Sequence, residues 1–177
     1  MTEYTANDTL RIAKRQKNAK RTYLLVNPLQ AKHMPVSPTS SLNMMRTLGQ
    51  KLAKDYPQTK LVVGFAETAT AIGAAVAGCF SEDCIYIHTT REDLDSVDKW
   101  LYFSEEHSHA VEQKICGDRI SEWLLNTKQI IFVDDELSTG KTLVNMVTQL
   151  RTQFPSLSNT KMIAASVMNR LTPENEK

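Results

Sequence analysis

The sequence has few cysteines, no long apolar run and no excess of charge of either sign. Its three cysteines, Cys79, Cys84 and Cys116, are an odd number without a C-x-x-C pair, which argues against a disulfide framework or a zinc site. No apolar stretch reaches membrane-spanning length, and the N-terminus has no signal-peptide core. The net charge of +1 gives no global attraction to nucleic acid. These absences predict a cytoplasmic protein without a membrane partner.

Length and composition are those of a globular protein. The 177 residues, 41% hydrophobic and 23% charged, suit one domain with a buried core. Strand-like and helix-like segments alternate, which predicts an α/β fold with a mostly parallel central sheet flanked by helices on both faces. We predict that residues 22–177 form this domain, behind a basic N-terminal segment, residues 1–21. The polar end of the chain leaves open that the domain is part of a longer protein.

The N-terminal segment is basic between residues 11 and 21, with six basic residues and no acidic ones. This composition predicts a solvated helix or arm ahead of the domain. The alternative is a contact with RNA or another anionic partner. Residues 22–27 are predicted to form a short strand, and residues 29–41 a loop.

The most informative stretch is I-I-F-V-D-D-E-L-S-T-G-K-T-L, residues 130–143. Its first four residues predict a buried strand that ends at Asp134 and Asp135. A turn then leads into a helix, and its backbone N–H groups and the helix start form a seat for an anion, best suited to phosphate. The turn consists of Ser138, Thr139, Gly140, Lys141 and Thr142. The two carboxylates suit hydroxyl groups or a divalent cation instead, so the stretch indicates a sugar-phosphate site.

The same residues allow a second interpretation, because S-T-G-K-T also ends the loop of many nucleoside-triphosphate-binding proteins. That loop needs a glycine five positions before Gly140, where this sequence has Asp135. A carboxylate there would repel the phosphate, which disfavours a P-loop nucleotide-binding protein.

A second strand, turn and helix occur earlier in the chain. Residues 61–65, L-V-V-G-F, predict a buried strand, and the following turn can receive a second anion at the same sheet edge. The residues of this turn are Ala66, Glu67, Thr68 and Ala69. A third strand, residues 84–88, is followed by Arg91, whose guanidinium can bind phosphate oxygens.

About 25 residues after Arg91 have weak periodicity, which predicts a long functional loop. It contains His107 and His109, candidates for an acid, a base or metal ligands.

The motif V-D-D-E-L-S-T-G-K-T resembles that of the type I phosphoribosyltransferases, which bind 5-phosphoribosyl-1-pyrophosphate (PRPP). The resemblance implies that Asp134 and Asp135 contact the ribose hydroxyls, directly or through Mg²⁺, and that residues 138–142 bind the 5′-phosphate. It also implies that residues 66–69 and Arg91 meet the pyrophosphate, and that the long loop closes over the sugar. Lys141 departs from the pattern, since many members have a second glycine there. With E-E-H-S-H-A and G-F-A-E-T-A-T, the motif further resembles a bacterial subgroup associated with tellurium-resistance gene clusters.

The activity that the resemblance implies is transfer of the 5-phosphoribosyl group between PRPP and a nitrogenous base or related acceptor, with release of pyrophosphate. Its partners would be PRPP, Mg²⁺ and a small acceptor, and a homodimer stays open. The alternative is a non-catalytic PRPP-binding regulator that acts through RNA or a protein partner.

Overall fold

The computed structural model of the chain describes residues 3–16, 22–32, 34–103, 113–125 and 127–172. In chain order its elements are α1 (Ala6–Thr9), β1 (Arg11–Lys14), β2 (Tyr23–Val26), α2 (Pro38–Asp55), β3 (Thr59–Gly64), α3 (Thr70–Ala77), β4 (Ile85–His88), β5 (Trp100–Phe103), β6 (Gln113–Cys116), α4 (Ile120–Leu124), β7 (Gln129–Leu137), α5 (Lys141–Gln153), a 3-10 helix (Pro155–Asn159) and β8 (Lys161–Asn169).

The centre of the fold is a four-stranded parallel sheet in the order β4-β3-β7-β8. Its two inner strands carry the most buried residues: Leu61, Val62 and Val63 of β3 and residues 130–133 of β7 are each at most 1% exposed. Such continuous apolar runs are typical of strands covered on both faces. The predicted α/β fold with a parallel sheet is confirmed.

The two helical crossover connections lead from the central strands to opposite sides of the sheet. The β3-α3-β4 unit steps outward to one side, and the β7-α5-β8 unit steps to the other. Because parallel crossovers are right-handed, opposite steps place α3 and α5 on opposite faces of the sheet. Helix α2 packs on α3. None of the helices in the described part of the chain combines the length and apolar character needed to cross a membrane.

The N-terminal segment, where it is described, contains a strand. β1 pairs antiparallel with β2, with Arg11 opposite Val26 and Lys14 opposite Tyr23. The sequence predicts a solvated helix or arm here; residues 11–14 are instead a strand, because pairing supplies the hydrogen bonds that the edge of β2 would otherwise lack. The boundary after residue 21 stays a prediction, although β1 and β2 pair across it.

The region after Arg91 also contains more structure than the predicted loop. β5 and β6 form an antiparallel pair, and Lys114 and Thr90 exchange backbone hydrogen bonds of 2.8 and 2.9 Å that tie this pair to the end of β4. The Lys114 side chain is buried, lies 4.6 Å from the centroid of the Trp100 ring and forms an ion pair with Asp93. A buried lysine interrupts the alternation of apolar residues by which a strand is recognised. The sequence pattern therefore did not predict β6.

Helix α3 packs against the sheet through Gly73. A Cβ at this position would lie 2.8 Å from Tyr86 Cε2 and 3.1 Å from Gly64 Cα, which is too close for a real side chain. The Tyr86 hydroxyl donates a hydrogen bond of 2.6 Å to Thr70 O, and this bond fixes the ring beside the helix. The absence of a side chain at Gly73 thus lets this helix approach the sheet closely.

Replacing Gly73 with alanine tests this close approach. The added Cβ would overlap the fixed Tyr86 ring, so we expect the free energy of unfolding to fall by about 1–3 kcal/mol, the usual range for an overpacked site. Urea denaturation measures the change. Gly78→Ala is the matched control, because a Cβ there would meet only backbone oxygens at 3.6 and 3.7 Å and should leave stability unchanged or slightly raised. A Gly73→Ala protein as stable as the wild type would contradict the packing described here.

Candidate functional site

The candidate site lies where the carboxyl ends of β3 and β7 meet. The two crossovers diverge from these neighbouring strands, and such a reversal of strand order leaves a crevice beyond their carboxyl ends. Phe65 N–H donates a hydrogen bond of 2.9 Å to Val133 O, which joins the two strands at their last paired position. The structure thus brings together the two turns that the sequence marks as anion seats.

Asp135 is the residue on which separate parts of the chain converge. Thr68 Oγ1, in the turn after β3, donates a hydrogen bond of 2.8 Å to Asp135 Oδ1. Lys32 Nζ, in the loop after β2, lies 2.6 Å from Asp135 Oδ2. Lys32 follows Ala31, whose φ of 62° lies in the left-handed region that residues other than glycine rarely adopt. Both oxygens of the carboxylate therefore have partners.

Asp134 and Asp135 belong to a longer strand than the sequence predicts. β7 continues through both aspartates to Leu137 and pairs with β8, with Asp134 opposite Ser166. The predicted end of the strand at residue 133 is wrong, because that is only where pairing with the shorter β3 ends. Successive residues of a strand point to opposite faces, so the two carboxylates face in different directions. The Asp135 N–H donates a hydrogen bond of 2.8 Å to Asp134 Oδ1.

The two carboxyl groups differ in acidity. Burial raises the pKa of Asp134 from 3.8 to about 6, and the neighbouring charge of Asp135 adds to the rise. Burial also raises the pKa of Asp135, but hydrogen bonds from Lys32 and Thr68 outweigh it, so its pKa lies below 3.8. Asp135 is therefore ionised at neutral pH, whereas Asp134 titrates much closer to neutrality.

The predicted phosphate turn leads directly into α5. Gly140 has a φ of 71°, a left-handed conformation that favours glycine, and Lys141 is the first residue of the helix. Ser138 and Thr139 are exposed. The N-cap glycine has no side chain, and the Lys141 N–H donates only a long hydrogen bond of 3.5 Å to Thr139 Oγ1, so the N–H groups of the first turn can face an anion.

The nucleoside-triphosphate loop does not form. That loop would have to leave the strand at position 135 and curl around a phosphate. Residues 129–137 instead stay extended, with a partner in β8 as far as Leu137.

The predicted pyrophosphate turn lies between β4 and β7. Ala66 N–H donates a hydrogen bond of 2.7 Å to Thr89 Oγ1, and Ala69 N–H donates one of 3.0 Å to Phe65 O. The Ala66–Glu67 peptide bond is cis. Arg91 Nη1 lies 3.6 Å from Glu67 Oε1, so the arginine lies beside this turn.

Arg91 also offsets the charge of Glu67, which would otherwise oppose an anion in the turn. The Glu67 side chain is 79% exposed, and an ion pair so exposed contributes about 0–1 kcal/mol. The pair can therefore separate at little cost when a stronger anion arrives.

The acidic residues fit a magnesium ion only in part. No group of three metal-ligating side chains exists in the described part of the chain, so the protein alone forms no metal cage there. Mg²⁺ is commonly held by one or two carboxylates together with phosphate oxygens and water. Asp134 and Asp135 supply that minimum, although Lys32 already occupies one oxygen of Asp135.

Two of the candidate residues cannot be placed, and two residues that make contacts at the candidate site were not predicted to do so. His107 and His109 lie outside the described residues, so their roles stay predictions. Lys32 does not belong to any motif, and a single lysine in a loop gives no sign that it will contact a residue more than a hundred positions away. Thr89 is fully buried and accepts a hydrogen bond from the predicted pyrophosphate turn, but the only feature that marks it in the sequence is its place at the end of a strand.

Comparison with known proteins finds a matching protein family. Over residues 9–177 the chain matches the family described as phosphoribosyl transferase. A search of curated proteins gives no match.

Several solved structures are similar across nearly the whole chain. Adenine phosphoribosyltransferase from Leishmania tarentolae is 13% identical, with a TM-score of 0.56 over 96% of this chain and 88% of that one. The enzyme from Giardia lamblia, complexed with 9-deazaadenine, is 16% identical, with a TM-score of 0.57 over 93% and 95%. The enzyme from Trypanosoma brucei, in complex with AMP, pyrophosphate and ribose-5-phosphate, is 11% identical, with a TM-score of 0.56 over 94% and 80%. At these identities the likeness shows a shared fold.

The raised pKa of Asp134 predicts a pH-dependent effect of Asp134→Asn. Between pH 4 and 6 the folded protein binds more protons at this residue than the unfolded chain, so the free energy of unfolding falls as the pH rises. Asparagine does not titrate and can still accept the Asp135 N–H. We therefore expect the variant to match the wild type near pH 4 and to be about 2 kcal/mol more stable at pH 7.5.

Urea denaturation at both pH values measures this difference. Asp83→Asn serves as the control, since Lys60 and Ser81 lower the pKa of that exposed carboxyl and its removal should give no gain at pH 7.5. A stability difference for Asp134→Asn that is independent of pH would show that burial does not raise the pKa of this group.

Proposed function

The chain belongs to the phosphoribosyl transferase family, and from this premise we propose that it transfers the 5-phosphoribosyl group of PRPP to a nitrogenous base or related acceptor, with release of pyrophosphate. The observation that carries the proposal is the junction at Asp135, where the turn after β3 meets the acidic end of β7 just ahead of the turn into α5. The turn after β3 suits pyrophosphate, the acidic end of β7 suits ribose hydroxyls, and the turn into α5 suits a phosphate. PRPP carries these three groups in one molecule.

Each part has a proposed role that follows from its charge. Asp135 is ionised and can accept a hydrogen bond from a ribose hydroxyl once Lys32 moves aside. The N–H groups of residues 139–142, at the start of α5, receive the 5′-phosphate. Residues 66–69 and Arg91 receive the pyrophosphate, and Arg91 exchanges Glu67 for the stronger anion.

The proposed reaction breaks the bond between ribose C1 and the pyrophosphate oxygen. The electron pair of that bond leaves with pyrophosphate, and the acceptor nitrogen forms the new bond to C1 and gives its proton to water or to a nearby base. The ribose becomes positively charged during the transfer, as in glycoside hydrolysis. Carboxylates next to the ribose and cationic groups next to the pyrophosphate stabilise the separating charges, so the protein contributes mainly by electrostatic placement.

A magnesium ion is part of this proposal. Asp134 and Asp135 would hold it together with oxygens of the substrate, and it would neutralise charge on the leaving pyrophosphate. Lys32 and the metal compete for Asp135, because both are cations directed to the same carboxylate. A cytoplasmic location and membership of the subgroup associated with tellurium resistance stay predictions from the sequence.

A thermal-shift experiment with PRPP and Mg²⁺ tests the site. A ligand that binds only the folded protein, at a hundred times its dissociation constant, stabilises by about 2.7 kcal/mol and should raise the melting temperature by several degrees. We expect the double variant Asp134→Asn/Asp135→Asn to lose this shift. The matched control is Asp55→Asn/Asp83→Asn, two exposed acids just ahead of β3 and β4, at the opposite edge of the sheet.

Turnover is measured in parallel as pyrophosphate release from PRPP with a panel of nitrogenous bases. We expect release that depends on the base and is lost in the Asp134/Asp135 double variant but kept in the control. An unchanged PRPP shift in that variant would contradict the site. A PRPP shift without turnover for any acceptor would favour the non-catalytic regulator.

A further inference from the structure

Two adjoining cavities lie between the β1–β2 hairpin and the ends of β7 and β8. The larger has a volume of about 290 Å³, and its polar lining includes Arg15, Glu136 and Arg170. The smaller has a volume of about 40 Å³ and contains Asn27, Gln30 and Lys32 at its wall. Both are bounded by Leu24, Leu25 and Glu136, so they adjoin one another. We call the two cavities together the β2 cleft.

The β2 cleft starts at the proposed ribose site. Asp135 and Lys32 line its smaller cavity, and Glu136, the next residue of β7, borders both cavities. A group attached to C1 of a ribose held at Asp135 could therefore extend into the larger cavity. A volume of about 290 Å³ is enough for a purine or pyrimidine ring, whereas about 40 Å³ holds only one small substituent or a water molecule.

The smaller cavity contains hydrogen-bond donors without partners. Asn27 is 2% exposed, and its Oδ1 accepts a hydrogen bond of 2.9 Å from Leu29 N–H, which fixes the amide. Its Nδ2 is buried and has no hydrogen-bond partner among the described residues. Gln30 Nε2 is also buried without a hydrogen bond of normal geometry, although it lies close enough to Asp135 to help hold the pKa of that carboxyl down. A buried donor without a partner is unfavourable, so an oxygen or an unprotonated nitrogen of a ligand would be stabilised here.

The larger cavity adds more donors and a positive charge. Arg15 and Arg170 carry two positive charges against the single negative charge of Glu136. Arg170 Nη1 lies 2.5 Å from Glu136 Oε1, so the carboxylate that lines the larger cavity is already engaged. Among the described residues that line the β2 cleft, the cations Lys32, Arg15 and Arg170 accompany two carboxylates, Asp135 and Glu136, and each carboxylate already has a cationic partner.

We propose that the β2 cleft binds the acceptor and selects a base that carries carbonyl or carboxylate oxygens over the matching base with an amino group. This inference rests on the proposed phosphoribosyl transfer and specifies its acceptor class. An oxo group accepts hydrogen bonds from the amides of Asn27 and Gln30, whereas an amino group directs its own N–H bonds at them. Sites with buried donors discriminate strongly against ligands that leave those donors without a partner.

Matched pairs of bases test the selection. Pyrophosphate release from PRPP is measured with hypoxanthine against adenine and with uracil against cytosine, and binding of each base to the PRPP-loaded protein is measured by competition. Each pair differs at an oxo or amino substituent. We expect the oxo member of at least one pair to have a kcat/KM at least 10-fold higher than its amino partner.

Two substitutions locate the selection in the smaller cavity. Gln30→Met keeps the length of the side chain but removes the amide, and Asn27→Leu does the same at the more buried position. Both should reduce the preference for the oxo base at least 5-fold, while the melting-temperature shift with PRPP stays within 1 °C of the wild type, roughly the change that a minor loss of binding energy gives. Asn27→Leu also removes the bond to Leu29, so Gln30→Met decides the question if the former fails to fold. Arg119→Met, at the exposed residue just ahead of α4, is the control for loss of a polar side chain elsewhere.

The outcomes separate this inference from the proposed function. A normal PRPP shift with equal use of both members of each pair, with preference for the amino member, or without binding of any of the four bases overturns the acceptor assignment and leaves the PRPP site intact. A preference for the oxo base that persists in Gln30→Met and Asn27→Leu also overturns it. Loss of the PRPP shift in the wild-type protein overturns the proposed function itself.

Discussion

The Asp135 carboxylate joins three parts of the chain that are far apart in sequence. Lys32 reaches it from the loop after β2, Thr68 from the turn after β3, and β7 supplies the residue itself. This arrangement depends on the order of the strands, because only the reversal between β3 and β7 places the two turns side by side. In the proposed function, the charged groups of the substrate would link these parts.

The neighbouring carboxyl groups show how one strand can provide two different acids. Asp135 accepts hydrogen bonds at both oxygens and is held ionised, while Asp134 is half-buried with fewer partners, and this partial burial raises its pKa to about 6. Burying Asp134 lowers the stability of the fold at neutral pH, and such a cost is common at functional sites. Environments that separate the pKa values of adjacent acids allow one to act as a fixed charge and the other to change protonation or to take a cation.

Local sequence patterns predicted the sheet and the elements that meet at the candidate site, while long-range contacts were not predictable. The apolar runs of β3 and β7, the turn at Gly140 and the pairing of acids with a phosphate turn all follow from residues close together in the chain. The end of β7 was placed too early because the extra residues pair with β8, a partner that the motif itself does not reveal. No local pattern predicted the contacts of Lys32, Asn27 and Gln30. These contacts form because the loop after β2 folds against residues more than a hundred positions away.

A crystal structure of the protein with PRPP and Mg²⁺ would test the central claim most directly. We expect the 5′-phosphate on the N–H groups of residues 139–142, the ribose hydroxyls at Asp134 and Asp135, and Lys32 displaced from Asp135. PRPP bound elsewhere, or a phosphate in the turn with the ribose directed away from both aspartates, would contradict the account.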